Sequence, residues 1–173
     1  KKDGRREAFS KEKIKAGIAK FTGVYRRWEK KGEENGISVY DDYAHHPTEC
    51  KATLSGIKSG WRRRLVCVFQ PHLYSRTRDF YEEFGKSFML CDVLVVTDVY
   101  PAREEAIQGV TGELIANAAK QFGHKEVHYV VDKKIVPDFL MKIVKRGDIV
   151  VTLGDGDIYK FRVEFFSKLK TKN

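Results

Sequence analysis

Nothing in this chain approaches the ~18 consecutive apolar residues that a membrane-spanning helix needs. The basic start, Lys1-Lys2-Asp3-Gly4-Arg5-Arg6, is followed by no apolar segment of a secretory signal, and it has no initiator Met, so the chain reads as a piece of a longer protein. Cysteine is scarce. Cys50, Cys67 and Cys91 are odd in number and lack paired metal-ligand spacing, which excludes a disulfide framework and fits a reducing, cytoplasmic setting. A phosphate loop of the form Gly-x-x-x-x-Gly-Lys-Ser/Thr is missing, as is a complete Gly-x-Gly-x-x-Gly. No Ser-His-Asp order or Cys–His pairing stands out. A self-sufficient nucleotide-hydrolysing machine is therefore excluded. There is also no internal repeat and no low-complexity segment.

What is present describes one ordinary globular domain, residues 1–173, with 42% hydrophobic and 33% charged residues. The net charge of +9 sits at the ends. Residues 1–20 hold eight Lys/Arg against three acids, residues 160–173 hold five against one, and the body is neutral. Basic ends on a neutral body read as solvated termini, which disfavours nucleic acid as a partner. A free-standing basic nucleotide- or nucleic-acid-binding module remains the alternative reading.

The apolar pattern gives the architecture. Ser10 can cap a helix to Phe21. Residues 24–30 and 37–41 can form a hairpin across residues 32–36. Residues 65–69, 93–97 and 149–153 are continuous apolar runs of strand length, as expected for strands covered on both faces. Residues 127–131 add a further strand. Helices are expected over residues 48–59 (opened by Pro47), beyond the 70–78 loop to about residue 90, over 111–122 and 132–144, and from Ile158 onward, where Ile158, Phe161, Phe165 and Leu169 share a stripe. Strands alternating with such helices imply βαβ units, an α/β fold with a mostly parallel sheet of about six strands and an antiparallel N-terminal edge strand or hairpin.

The polar loops follow the strands, so they converge on the carboxyl rim where open α/β sheets bind ligands. The densest is Tyr40-Asp41-Asp42-Tyr43-Ala44-His45-His46-Pro47-Thr48-Glu49. The next is Gln70-Pro71-His72-Leu73-Tyr74-Ser75-Arg76-Thr77-Arg78. A metal centre built from Asp42, His45 and His72 is conceivable, but adjacent histidines rarely face one ion, and no metal site is expected. Arg76 and Arg78 offer forked donors for a carboxylate or phosphate, unless they pair with Asp79 or Glu82. Arg26-Arg27 reads from spacing alone as a solubilising surface pair. Gly154-Asp155-Gly156-Asp157 could receive an anion on its backbone N–H groups.

Together with Phe21-x-Gly23-Val24-x-Arg26-Arg27, Asp98-Val99-Tyr100-Pro101-Ala102 and Gly154-x-Gly156-Asp157-Ile158, these two loops closely resemble the C-terminal domain of the Mur ligase family, in its UDP-N-acetylmuramate–L-alanine branch. The likeness runs from about Ser10 to Phe161. It implies a Rossmann-like three-layer domain that closes over two further domains absent from this chain, one holding the UDP-sugar and a central one binding ATP and Mg²⁺. The implied reaction activates the muramoyl carboxylate as an acyl phosphate, which the amine of L-alanine attacks, in cytoplasmic peptidoglycan synthesis. By position, Arg27, Asp42, Tyr43 and His45 would approach the nucleotide and the reacting end of the substrate. His72 and Arg76 would face the amino acid, with Arg76 matching its carboxylate, and His45, His72 and Arg76 are the candidate catalytic residues. Leu73 stands where many members have Arg, Asp155 where a small residue is usual, and Glu105-Ala106-Ile107 replaces a usual Glu-x-Pro-Ile.

Overall fold

The computed structural model describes residues 26–171. The expected helix from Ser10 to Phe21, the basic residues 1–20 and the start of the Phe21–Arg27 motif lie outside them. Six strands, β1 (Glu29–Glu34), β2 (Ile37–Asp42), β3 (Leu65–Phe69), β4 (Val93–Thr97), β5 (Val127–Val130) and β6 (Ile149–Leu153), form one sheet in the order β1-β2-β6-β3-β4-β5. Only the β1–β2 edge pair is antiparallel.

The helices are α1 (Pro47–Gly60), α2 (Tyr74–Ser87), α3 (Gly112–Gln121), α4 (Val136–Ile143) and α5 (Arg162–Thr171). β3, β4 and β6 are buried along their whole length because both faces are covered. Alternate residues divide them. Leu65, Cys67 and Phe69 join α1, α2 and α3 in one core, where Phe69, Phe84 and Phe88 pack ring on ring. Val66 and Val68 join α4 and α5 in the other, which also buries Ile158, Phe161, Phe165 and Leu169, although the first two lie on a 3-10 turn (Ile158–Phe161) and the expected helix begins only at Arg162. Each fully buried large side chain contributes about 1.5–3 kcal/mol.

The hairpin differs from its expectation. β1 runs through Gly32, with a register shift between Lys30 and Gly32, and the reversal is the two-residue Asn35-Gly36 turn. Both residues have positive φ, 51° and 75°, the backbone a tight hairpin demands and Asn-Gly adopts with least strain. The dipeptide was in the sequence, and the weak alternation upstream drew the strand too early. The passage from β5 to α4 also differs: Asp132 caps a short 3-10 turn over Lys133–Ile135, and α4 begins only at Val136.

Candidate functional site

The carboxyl ends of β2, β3 and β6 lie side by side in the sheet, and the loops leaving them meet. Asp42 ends β2. Its Oδ2 accepts from the Trp28 N–H and its Oδ1 from the Ala44 N–H, each at 2.8 Å, which turns the chain sharply out of the strand. Burial pushes the Asp42 carboxyl above its ordinary value, against those two hydrogen bonds. Asp41, 1% exposed, receives the Arg26 Nε at 2.9 Å and the Thr152 hydroxyl at 2.6 Å. The two acids that the sequence crowds at this edge thus spend their oxygens inside the fold.

The turn delivers Tyr43 and His45 to the rim, where Pro47 and the reciprocal bonds of His46 and Glu49 start α1. His45 Nδ1 lies 3.0 Å from the Tyr43 carbonyl. A carbonyl only accepts, so Nδ1 carries the proton, and a neutral ring keeps Nε2 as its lone-pair nitrogen.

After β3, Gln70 is buried. Its Oε1 accepts from the Ile158 N–H at 3.0 Å, and its Nε2 donates to Asp157 at 3.4 Å, tying the β3 loop to the β6 turn. That turn needs its glycines: a Cβ on Gly156 would stand 2.3 Å from Gln70 Oε1, and one on Gly154 2.8 Å from the Gln70 carbonyl. His72 extends the ladder by pairing with Tyr100, on whose ring it stacks at 5.8 Å. Leu73 follows with φ 72°, a strained conformation for a branched side chain, and the Thr77 N–H and hydroxyl both donate to its carbonyl. Glu104 accepts from the N–H and hydroxyl of Ser75 and fixes the first turn of α2.

These constraints bring the candidate residues together. The rings of His45 and His72 lie 6.1 Å apart, those of Tyr43 and His45 5.0 Å, and Arg76 Nη1 is 3.4 Å from His72 Nδ1. A guanidinium only donates, so His72 Nδ1 is an acceptor and its proton sits on Nε2, 3.7 Å from Asp155 Oδ2. Burial lowers the His72 pKa, with Asp155 opposing and Arg76 adding to the fall. Asp155 also lies against the Tyr43 phenol, and this carboxylate raises the phenol's pKa. Arg78 pairs instead with its neighbour Asp79 at 2.7 Å and faces solvent.

Arg26-Arg27 is not the surface pair that spacing favours. Arg27 is exposed, but Arg26 is 6% exposed, bonded to Asp41 and the Gly154 carbonyl, and its guanidinium lies over the rings of Tyr43 and Tyr159. It crosses three loops and was missed because a basic dipeptide does not say which member points inward. Lys133, bonded to Asp157 and set over the Tyr100 ring, was missed as well, lying far along the chain on an unremarked turn. Among the described residues no group of three His, Cys, Asp or Glu could hold a metal ion, and Asp42, with both oxygens on backbone N–H groups, does not complete one with His45 and His72.

The family description "Mur ligase, glutamate ligase domain" matches residues 26–156. A UDP-N-acetylmuramate–L-alanine ligase of Geotalea daltonii is 53% identical over 159 residues, covering 92% of this chain and 35% of its own length. One from Salinibacter ruber is 52% identical, covering 96% and 35%. The crystal structure of a UDP-N-acetylmuramate–alanine ligase from Thermotoga maritima superposes with TM-score 0.76 at 25% identity, over 95% of this chain and 34% of that one. This chain therefore spans about a third of the length of these relatives. None of those named is a free-standing nucleic-acid-binding module. With that family model matching residues 26–156 and relatives 52–53% identical over more than nine-tenths of its length, the chain belongs to the Mur ligase family, as its glutamate ligase domain.

Proposed function

We propose that this chain works as the closing, C-terminal domain of a cytoplasmic, ATP-dependent ligase that joins L-alanine to UDP-N-acetylmuramate in peptidoglycan synthesis. The observation that carries the proposal is the convergence of Tyr43, His45, His72 and Arg76 from two successive crossover loops on one rim. The relatives named above, at 52–53% identity, supply the substrate assignment.

In the reaction the muramoyl carboxylate attacks the γ-phosphorus of ATP, the bond to the β-phosphate oxygen breaks, and an acyl phosphate and ADP form. The alanine amine then attacks the acyl carbon, the C–N bond forms, phosphate leaves and one proton is released. Among the described residues Arg76 hydrogen-bonds His72, which leaves donors of its fork for the alanine carboxylate. His45, with its proton on Nδ1, keeps Nε2 to accept the proton that the amine loses. Tyr43 and exposed Arg27 face the nucleotide and the reacting end of the muramoyl group. Asp42, its oxygens on the Trp28 and Ala44 N–H groups, holds the loop that presents them. The rim suits the anionic groups of ATP, but the described residues offer no cage for Mg²⁺, which we assign with the phosphate loop to a central domain. Two domains of the same enzyme, holding the UDP-sugar and the ATP, are the implied partners. Closure over the acyl phosphate would exclude water and orient the amine, an effect worth on the order of 7–11 kcal/mol of barrier in favourable cases.

The test is alanine-dependent release of phosphate from ATP and UDP-N-acetylmuramate. The complete ligase turns over and the 173-residue chain alone does not. Turnover by the chain alone would overturn this division of labour.

A further inference from the structure

Asp155 belongs to none of the roles assigned above, yet it stands between two of the residues that carry them. It lies on the β6 turn that Gln70 holds in register with the β3 loop. Its carboxylate lies against the Tyr43 phenol and faces His72 Nε2 at 3.7 Å, and its side chain keeps 24% of its surface open. On the far side of the same imidazole, 3.4 Å from Nδ1, is Arg76. A cation and an anion thus stand on opposite sides of one imidazole, 3.4 Å from its Nδ1 and 3.7 Å from its Nε2.

That arrangement is complementary to a small zwitterion, with a carboxylate at one end and an ammonium a few bonds away. A carboxylate offers about four lone-pair sites, so Asp155 can hold Tyr43 and His72 and still accept from a third group. We propose that Asp155 determines specificity by taking the α-ammonium of the incoming amino acid while Arg76 takes its α-carboxylate. His72 is the spacer that sets the distance between the two poles. This inference rests on the ligase reading and deepens it. In this chain, where Asp155 replaces the usual small residue, simple acids or amines find only half of the site.

The test uses the complete ligase with Asp155→Asn and, as a second variant with a small side chain, Asp155→Ser. Both are expected to raise the KM for L-alanine about tenfold or more, the effect of losing one charge-assisted hydrogen bond, with the KM for ATP within about twofold of wild type. Inhibition supplies a readout that a general loosening would not move. L-Alanine amide carries the ammonium without the carboxylate, and propionate the reverse. The variants should lose inhibition by the amide and keep it by propionate, and Arg76→Gln should do the opposite. An unchanged KM for alanine, or equal loss of both inhibitors, overturns the inference while leaving the ligase reading intact. Absence of alanine-dependent ligation by the wild type would instead remove that reading, and this inference with it.

Discussion

At the scale of single residues, the site is held by groups that never touch the ligand. Arg26 is the clearest. Its partner Asp41 is 1% exposed, so removing the guanidinium strands a charge away from water, with the Thr152 hydroxyl as its other side-chain partner among the described residues. Breaking a buried pair in this way costs about 3–5 kcal/mol. Arg26→Ala should therefore lower the unfolding free energy by roughly that amount in a denaturant titration. Arg27→Ala, on an exposed side chain, should change it by no more than about 0.5 kcal/mol.

His72 makes a different prediction, in pH. Burial lowers its pKa below the ordinary 6.5, so the folded form binds fewer protons than the unfolded chain. Its contribution is fully present above the unfolded value and is lost as pH falls through the lower folded value. His124 has the opposite sign. Its pKa is raised, burial being outweighed by its contact with Cys91, so its contribution is lost as pH rises. The bare profile mixes the two. His72→Asn should remove only the loss on the acid side of 6.5, seen as a flatter dependence of the denaturation midpoint there.

At the scale of elements, the backbone decides where the loops can come together. α3 enters directly against β4: a Cβ on Gly112 would stand 2.0 Å from the Thr97 carbonyl oxygen, an atom of the sheet that has nowhere to move. Gly112→Ala should cost at least the ~1–3 kcal/mol of overpacking. The same change at Gly56, in α1 with nothing within 4 Å, should stabilise by up to about 1 kcal/mol because alanine is the better helix residue. Paired thermal melts of the two variants check both signs. Such contrasts are illegible in sequence, where both glycines sit inside helical stretches. The helix starts were legible because their chemistry is local: Pro47 opens α1, and the Thr111 hydroxyl accepts from the Glu113 N–H to open α3.

For the molecule as a whole, the sequence determined the alternation of buried strands and helices and hence a parallel sheet with an antiparallel edge. It also determined which loops fall at the carboxyl rim. Those features follow from periodicity and from the chain's own direction, which a linear reading contains. Only the tertiary structure decided the strand order β1-β2-β6-β3-β4-β5, which inserts the last strand between the second and third and so sets Asp155 beside Tyr43 and His72. Only the tertiary structure, too, turned Arg26 inward and Arg27 outward. The reason is that hydrogen bonds and ion pairs act over a few ångströms of space, and residues 26, 41 and 154 become neighbours only after the sheet has assembled around them.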